Sequence, residues 1–236
     1  MKKKILIRYI FIILLVFSAC SENDNPVAPI DIASDTKING PDEKDYDFYV
    51  GISYSDPQPA DPLNKRFYAI ISCEDSLQSF QNVKLKIDGQ NILLQYANYF
   101  DKDFYIAYFN ILYADNFDLE LSVNGQVVNA NLEVLDEIEI ELPTNLTPQE
   151  NLQLNWQTEK NPQVHYIEAF QISSDDEFLT QSIKNLEPTT REFTIPASWL
   201  WGNEEATSRA IQLGITNYVI EERVCFTISD GVFKKY

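Results

Sequence analysis

Histidine is almost missing from this chain, with His165 the single imidazole in 236 residues. That shortage removes most hydrolytic chemistry, because a serine or cysteine nucleophile needs a base beside it. Glycine is scarce too, with seven residues. No G-x-G-x-x-G, P-loop or G-x-S-x-G is spelled anywhere, which excludes the common phosphate-cradling and nucleophile-elbow loops. Cysteine occurs three times and never as C-x-x-C, so a zinc site of ordinary spacing is excluded. Basic residues number 18 against 36 acidic ones. That imbalance repels phosphate backbones and excludes nucleic acid as a partner. It equally excludes docking on anionic lipid by charge alone. No apolar run reaches the roughly 20 residues that a membrane-spanning helix needs.

What the chain does contain starts at its first residue. Lys2, Lys3, Lys4 and Arg8 make a basic start, and Tyr9 to Phe17 is an unbroken apolar run. Ser18 and Ala19 are small, and Cys20 follows at once. This is the layout of a secretory signal peptide. The cysteine directly after the small pair resembles a bacterial lipobox, with Phe17 where the common motif has Leu, Val or Ile. The resemblance implies cleavage before Cys20 and acylation of its thiol and new amino group. An ordinary signal peptide with a cysteine beside its cleavage site, or a retained anchor, has the same layout. The acidic SENDN after Cys20 resembles the surface-export tether of Bacteroidota lipoproteins. Residues 1–19 are therefore predicted as a leader, and 20–45 as the acylated cysteine and a flexible acidic linker. Loss of the four basic leader residues takes the formal charge from −18 to −22.

Hydrophobic residues make up 44% of the chain and aromatic ones 13%, enough to bury a core and rich in strand formers. From Tyr46 the pattern is one of short alternating strands. Val83, Leu85 and Ile87 lead into Asp88-Gly89, and the chain returns through Ile92 to Tyr96. Leu119, Leu121 and Val123 lead into Asn124-Gly125 in the same way. Phe104 to Tyr113 is long and apolar, and is predicted to lie centrally. This spacing predicts an all-β protein of two tandem antiparallel sandwiches, one over 46–136, which resembles an immunoglobulin-like domain, and a second over 137–236, with the boundary near Asp136. The only helical piece is PASWLWGNEEATSRA, where Ser198 is the expected cap.

The second half carries a further resemblance. Leu152, Leu154 and Trp156 in L-x-L-x-W, an internal Tyr166, and F-T-I-P-A at Phe193 to Ala197 resemble a fibronectin type III-like domain. The resemblance implies that Trp156 is the core residue of an early strand and that Tyr218 stands in for the tyrosine corner. The whole layout resembles immunoglobulin-like-repeat lipoproteins of Bacteroidota outer membranes, among them relatives of starch-utilisation binding proteins. That implies a non-catalytic envelope module without cofactor or metal, tethered to the membrane through Cys20 and meeting a protein or glycan partner at the cell surface.

Candidate site residues are few. Trp199 and Trp201, with Tyr96, Tyr99 and Phe100, are the flat rings on which a glycan would stack. In an extended segment Trp199 and Trp201 share a face, and in a helical turn they diverge. Such a platform would make the chain a glycan-binding lipoprotein working beside an outer-membrane transporter. Asp75-Ser76-Leu77 resembles a Bacteroidota O-glycosylation acceptor. Asp101-Lys102-Asp103 and Ser174 to Glu177 offer hard oxygen ligands without the calcium-loop spacing. The doublets Glu204/Glu205 and Glu221/Glu222 read as solvated loop charges. His165 reads as a strand histidine at a surface or sheet edge. Cys73 and Cys225 read as buried thiols in separate domains, with an interdomain disulfide as the alternative.

Overall fold

The computed structural model describes residues 34–55, 64–73, 80–99 and 102–236. The predicted leader, Cys20, the proline-rich loop over 56–63, the Asp75-Ser76-Leu77 motif, Phe100 and Asp101 lie outside the described residues.

The first half contributes β1 (Phe48–Tyr54), β2 (Asn64–Cys73), β3 (Lys84–Ile87), β4 (Gln90–Ile92), β5 (Gln95–Tyr99), β6 (Lys102–Leu112), β7 (Asn116–Val123) and β8 (Gln126–Glu133). The second adds β9 (Glu139–Ile140), β10 (Leu152–Gln157), β11 (Val164–Ile172), β12 (Phe178–Asn185), β13 (Glu192–Ile195), β14 (Ser208–Glu221) and β15 (Val224–Lys235). One short helix, α1 (Ala197–Trp201), precedes β14. The protein is all-β, as expected. Among the described residues no helix is long and apolar enough to cross a membrane.

The strands form one large sheet and two small ones. The large sheet runs β12-β11-β14-β15-β1-β2-β6-β5, and the small ones are β4-β3-β7-β8 and β13-β10-β9. The expected boundary near Asp136 lies between β8 and β9. The large sheet, however, passes across that boundary unbroken. Strand β1 lies parallel to β15, with Phe48 opposite Val224 and Ser53 opposite Ser229. The two halves thus share a sheet, and each covers its own part of it.

Both hairpin turns form as the sequence predicts. Asp88 and Gly89 have φ of 50° and 75°, and Asn124 and Gly125 have 53° and 87°, the left-handed pair that a two-residue turn demands. In β7, Phe117, Leu119, Leu121 and Val123 point inward while Asn116, Asp118, Glu120 and Ser122 point outward. Two expectations fail here. The return strand does not run from Ile92 to Tyr96. Ile92 stays in the small sheet core, Leu93 is exposed, and Gln95 opens β5 opposite Ile106 in the large sheet. Strand β6 is not central either, since β5 is the sheet edge beside it. Its apolar length is used on the inner face, where Ala107, Phe109 and Ile111 are buried.

The first core fills the space between the large sheet and β4-β3-β7-β8. Phe67 on β2 meets Phe117 on β7 edge to face at 5.4 Å, a geometry worth about 0.5–1.5 kcal/mol beyond area burial. Val224, Phe226 and Ile228 of β15 belong to this core although they come from the second half. The second core lies under β13-β10-β9 and α1, and holds Leu154, Trp156, Ile167, Leu213 and Trp199. Trp156 is thus a core residue of an early strand, as expected. Tyr218 sits in mid-strand opposite Thr227 and makes no corner.

The opposite face of the large sheet carries smaller apolar groups and a buried polar one. Tyr166 lies flat across Gly214, where an added Cβ would meet its ring at 2.4 Å. Beside it Glu168 is fully buried and faces Gln212 across the β11–β14 pair. The amide of Gln181 donates to Glu168 Oε1 at 2.7 Å, and that of Gln212 donates to the Tyr166 hydroxyl at 3.0 Å.

The linker is tied down where it is described. Asp35 bridges to Ile183 on edge strand β12, and its carboxylate accepts from the Asn185 backbone N–H at 2.7 Å. That hydrogen bond holds the Asp35 carboxyl below its ordinary value against the opposing effect of desolvation. An edge strand is thereby partly covered, which limits pairing with other chains. The flexible-linker expectation fails from Ser34 onward for this reason.

The two described cysteines form no disulfide. Cys73 pairs with Phe48 and Cys225 with Tyr49, so β1 stands between them and their side chains leave opposite faces. Two strand spacings put their Cα atoms about 10 Å apart, beyond the roughly 7 Å that a disulfide tolerates. Burial also pushes the Cys225 thiol up to about 12. Mass spectrometry of the unfolded, unreduced, alkylated protein is expected to find both cysteines alkylated. A Cys73–Cys225 disulfide would overturn the β2-β1-β15 register.

Candidate functional site

A concave polar surface lies where the halves meet. A cleft of about 700 Å³ is bounded by the end of β1, the start of β2, the β8–β9 crossing and the end of β10. Tyr54, Lys65 and Tyr113 come from the first half, and Trp156, Glu159 and Arg191 from the second. Asp136, Glu137 and Glu139 form the crossing between them. These side chains converge because the shared sheet holds the two small sheets side by side and leaves a gap at their join.

Each inner group has a defined partner. The Tyr54 hydroxyl donates to the Leu135 carbonyl at 2.7 Å, and the Tyr113 hydroxyl donates to Asp136 Oδ1. Lys65 donates to Glu137 Oε1 at 2.8 Å. Lys160, behind the wall, donates to Asp115 at 2.9 Å and to the Val134 carbonyl at 2.8 Å. Burial alone would lower its pKa, but the bond to Asp115 and the Tyr113 oxygen raise it. Burial pushes the Tyr113 phenol up to about 12, helped by its bond to Asp136. Burial also raises Tyr54, with the Tyr113, Asp230 and Glu137 charges adding to it. Both phenols therefore stay protonated at neutral pH and act as hydroxyl donors, not as bases.

Four groups in the cleft are left over. Asp136 Oδ2 is buried without a hydrogen-bond partner, and so is the indole Nε1–H of Trp156. Glu139 and Glu159 stand exposed on the rim and have no ion-pair partner among the described residues. Acceptors predominate along the lining, and the two orphaned atoms are themselves shielded from solvent. Sequence reasoning found Trp156 as core and Asp136 as a boundary, but not their meeting. No local pattern signals a site built from six separate strand ends.

Trp199 and Trp201 form no shared platform. Trp199 is 2% exposed and belongs to the second core, 5.9 Å from Phe193 between ring centres. Trp201 is half-buried, and the Arg209 guanidinium lies 4.1 Å over its ring. The segment is helical, so the two rings diverge and offer no common face to a sugar. Ser198 is not the cap. Pro196 holds that position without a side-chain bond, and Asn151 Oδ1 accepts from the Ala197 N–H at 2.8 Å instead. Tyr96 is exposed on the far edge strand β5, where its hydroxyl donates to Asp103.

The oxygen-rich loops are used internally. Asp103 also accepts from Asn98 at 2.7 Å. In the β11–β12 turn Ser173 Oγ accepts from the Asp175 and Glu177 backbones, and Asp176 pairs with Lys235. Among the described residues no group of three or more carboxylate, imidazole or thiol side chains could hold a metal ion. His165 is neither at a surface nor at a sheet edge. It is 3% exposed, edge-on to Trp156 at 5.4 Å, with Nδ1 3.2 Å from the Glu187 carbonyl. Burial holds its ring below the ordinary imidazole value.

No protein-family model matches the chain, and no curated protein does. Among solved structures it is similar to the adhesin InvE of Yersinia pseudotuberculosis, at 9% identity and a TM-score of 0.24. The likeness covers 80% of this chain, which spans only 59% of that one.

Proposed function

We propose that the chain is a cell-envelope lipoprotein, anchored through acyl groups on Cys20, whose β domains serve as a non-catalytic structural or interaction module. The outer membrane is its place, with the folded part facing the surface or the periplasm. The observation that carries this reading is the leader: basic residues, Tyr9 to Phe17, the small pair, and Cys20. Its β part is read as an immunoglobulin-like and a fibronectin type III-like sandwich that share one sheet. The cleft at their join supports binding over catalysis, since its phenols are held protonated and it contains no imidazole. The glycan-binding alternative has lost Trp199 and Trp201 as its platform.

Cys20→Ala tests the anchor. Acyl chains contribute about 0.8 kcal/mol per buried methylene, so their loss is expected to move the protein from the membrane pellet to the soluble fraction. Alkynyl-palmitate labelling is expected in the parent chain and absent in the variant. An unlabelled parent chain would overturn the reading.

A further inference from the structure

We propose that the parallel pair β1–β15 is a mechanical clamp that keeps the module folded when the chain before β1 is pulled. That the pull arrives from a membrane tether rests on the anchored reading above; the clamp itself does not.

Strand β1 lies inside the large sheet, between β15 and β2. It runs parallel to β15 from Phe48 opposite Val224 to Ser53 opposite Ser229. On its other side it runs antiparallel to β2, from Phe48 opposite Cys73 to Tyr54 opposite Phe67. The start of β1 therefore sits beside the start of β15, with Lys235 at the far end of that strand. Tension between the chain before β1 and the far end of β15 runs along both strands and strains all their cross-links together. Tension across the strands breaks the same links one after another. One hydrogen bond contributes little, so the direction of pull decides how high the barrier to forced unfolding stands. Slippage is opposed as well. A shift of one residue would turn Val50 and Ile52, both fully buried, to the opposite face.

The entrance of the pair carries an independent sign of the same role. Glu222 and Arg223 form the β14–β15 turn with φ of 45° and 65°. The two other tight turns place a glycine second, and this one places an arginine, in a region unfavourable to any residue with a Cβ. Arg223 is used there. Its Nε donates to Asp47 Oδ2 at 2.8 Å and its second guanidinium arm donates to Oδ1. Its carbonyl accepts from the Asp47 backbone N–H at 2.7 Å. Asp47 is the residue before β1, so this fork closes the pair where tension would arrive. One residue pair further in, Thr227 Oγ1 donates to the Tyr49 hydroxyl at 2.9 Å.

The strap before β1 gives way first. It crosses from β12 to β1, held at its outer end by the single Asp35–Ile183 bridge and by Asn185. Asn185 donates to Asp35 and to the Lys37 carbonyl and accepts from the Asn39 N–H. A pull on Ser34 meets these contacts in turn, and then reaches Asp47 with the sheet still whole.

Optical-tweezers pulling of the detergent-solubilised full chain tests this, with handles on p-azidophenylalanine at exposed positions. Handles at Lys44 and Lys235 pull along the pair, and handles at Lys44 and Glu222 pull across it. At one loading rate, rupture along the pair is expected to need at least about twofold more force than rupture across it. Arg223→Gly is expected to lower the force along the pair while the urea midpoint stays near that of the parent, because glycine relaxes the turn as an exposed ion pair is lost. Circular dichroism checks that each variant folds. Moving the first handle from Lys44 to Ser34 is expected to add a short early extension and leave the main rupture force unchanged. Equal or lower force along the pair would overturn the proposal. An unchanged force in Arg223→Gly, or one weaker rupture from Ser34, would overturn it too. The handles bypass Cys20, so a chain found to be unacylated removes the anchor and leaves this result standing.

Discussion

Trp199→Ala is expected to destabilise the protein by about 3–5 kcal/mol, read as a fall in the urea midpoint. The indole sits between α1 and the inner face of β11 and β14, where it is 2% exposed. The wall behind it is a sheet whose strands are paired on both sides, so the space it leaves cannot collapse. The end of the helix is also fixed: Gln171 donates to the Trp199 carbonyl at 3.1 Å, and Arg209 to the Leu200 carbonyl at 2.9 Å. A domain of this kind has roughly 5–15 kcal/mol in total, so the loss takes a large part of it. Trp201→Ala is expected to cost only about 1 kcal/mol, mainly the contact with Arg209. Equal effects at both positions would show that Trp199 is not a core residue.

Stability is expected to fall by about 3 kcal/mol as pH rises from below 4.5 through 7, because of Glu168 alone. Burial lifts its carboxyl from 4.5 to about 7, opposed in part by the Gln181 hydrogen bond. Each unit corresponds to about 1.36 kcal/mol. The sign follows from linkage: the folded state holds this proton more tightly than the unfolded chain does. Its contribution is therefore fully present below the unfolded value of 4.5 and lost as pH passes through about 7. The geometry agrees. Glu168 Oε2 and Gln212 Oε1 are both buried without partners, on residues paired across β11 and β14. Only the protonated acid can offer a donor there. Glu168→Gln keeps a donor at every pH, so urea midpoints of the variant are expected to lack this loss between pH 5 and 8. A parent chain and variant with the same pH profile would refute it.

The chain's alternation and turn chemistry decide much of the fold by themselves. The φ > 0 pairs at Asp88-Gly89 and Asn124-Gly125, the inward row of β7, and the burial of Trp156 all follow from local period and residue type. So does the all-β class, because strands of period 2 with so little glycine leave few other outcomes. The acidic imbalance and the basic-then-apolar run that ends at Cys20 are equally properties of the residues alone.

Other features depend on which strand lies beside which. Hydrophobic period says which face of β1 is buried, but not that β15 pairs beside it. That pairing joins residues 170 or more positions apart. It merges the two halves into one sheet, places Cys73 and Cys225 on opposite faces, and opens the cleft at Asp136. Glu168 looks like any strand carboxylate until β14 sets Gln212 opposite it. Trp199 and Trp201 look like a platform until α1 turns them apart and the second core takes one. Local sequence determines which side chains leave a strand together, whereas long-range pairing, settled by the burial of the whole sheet, decides what they meet.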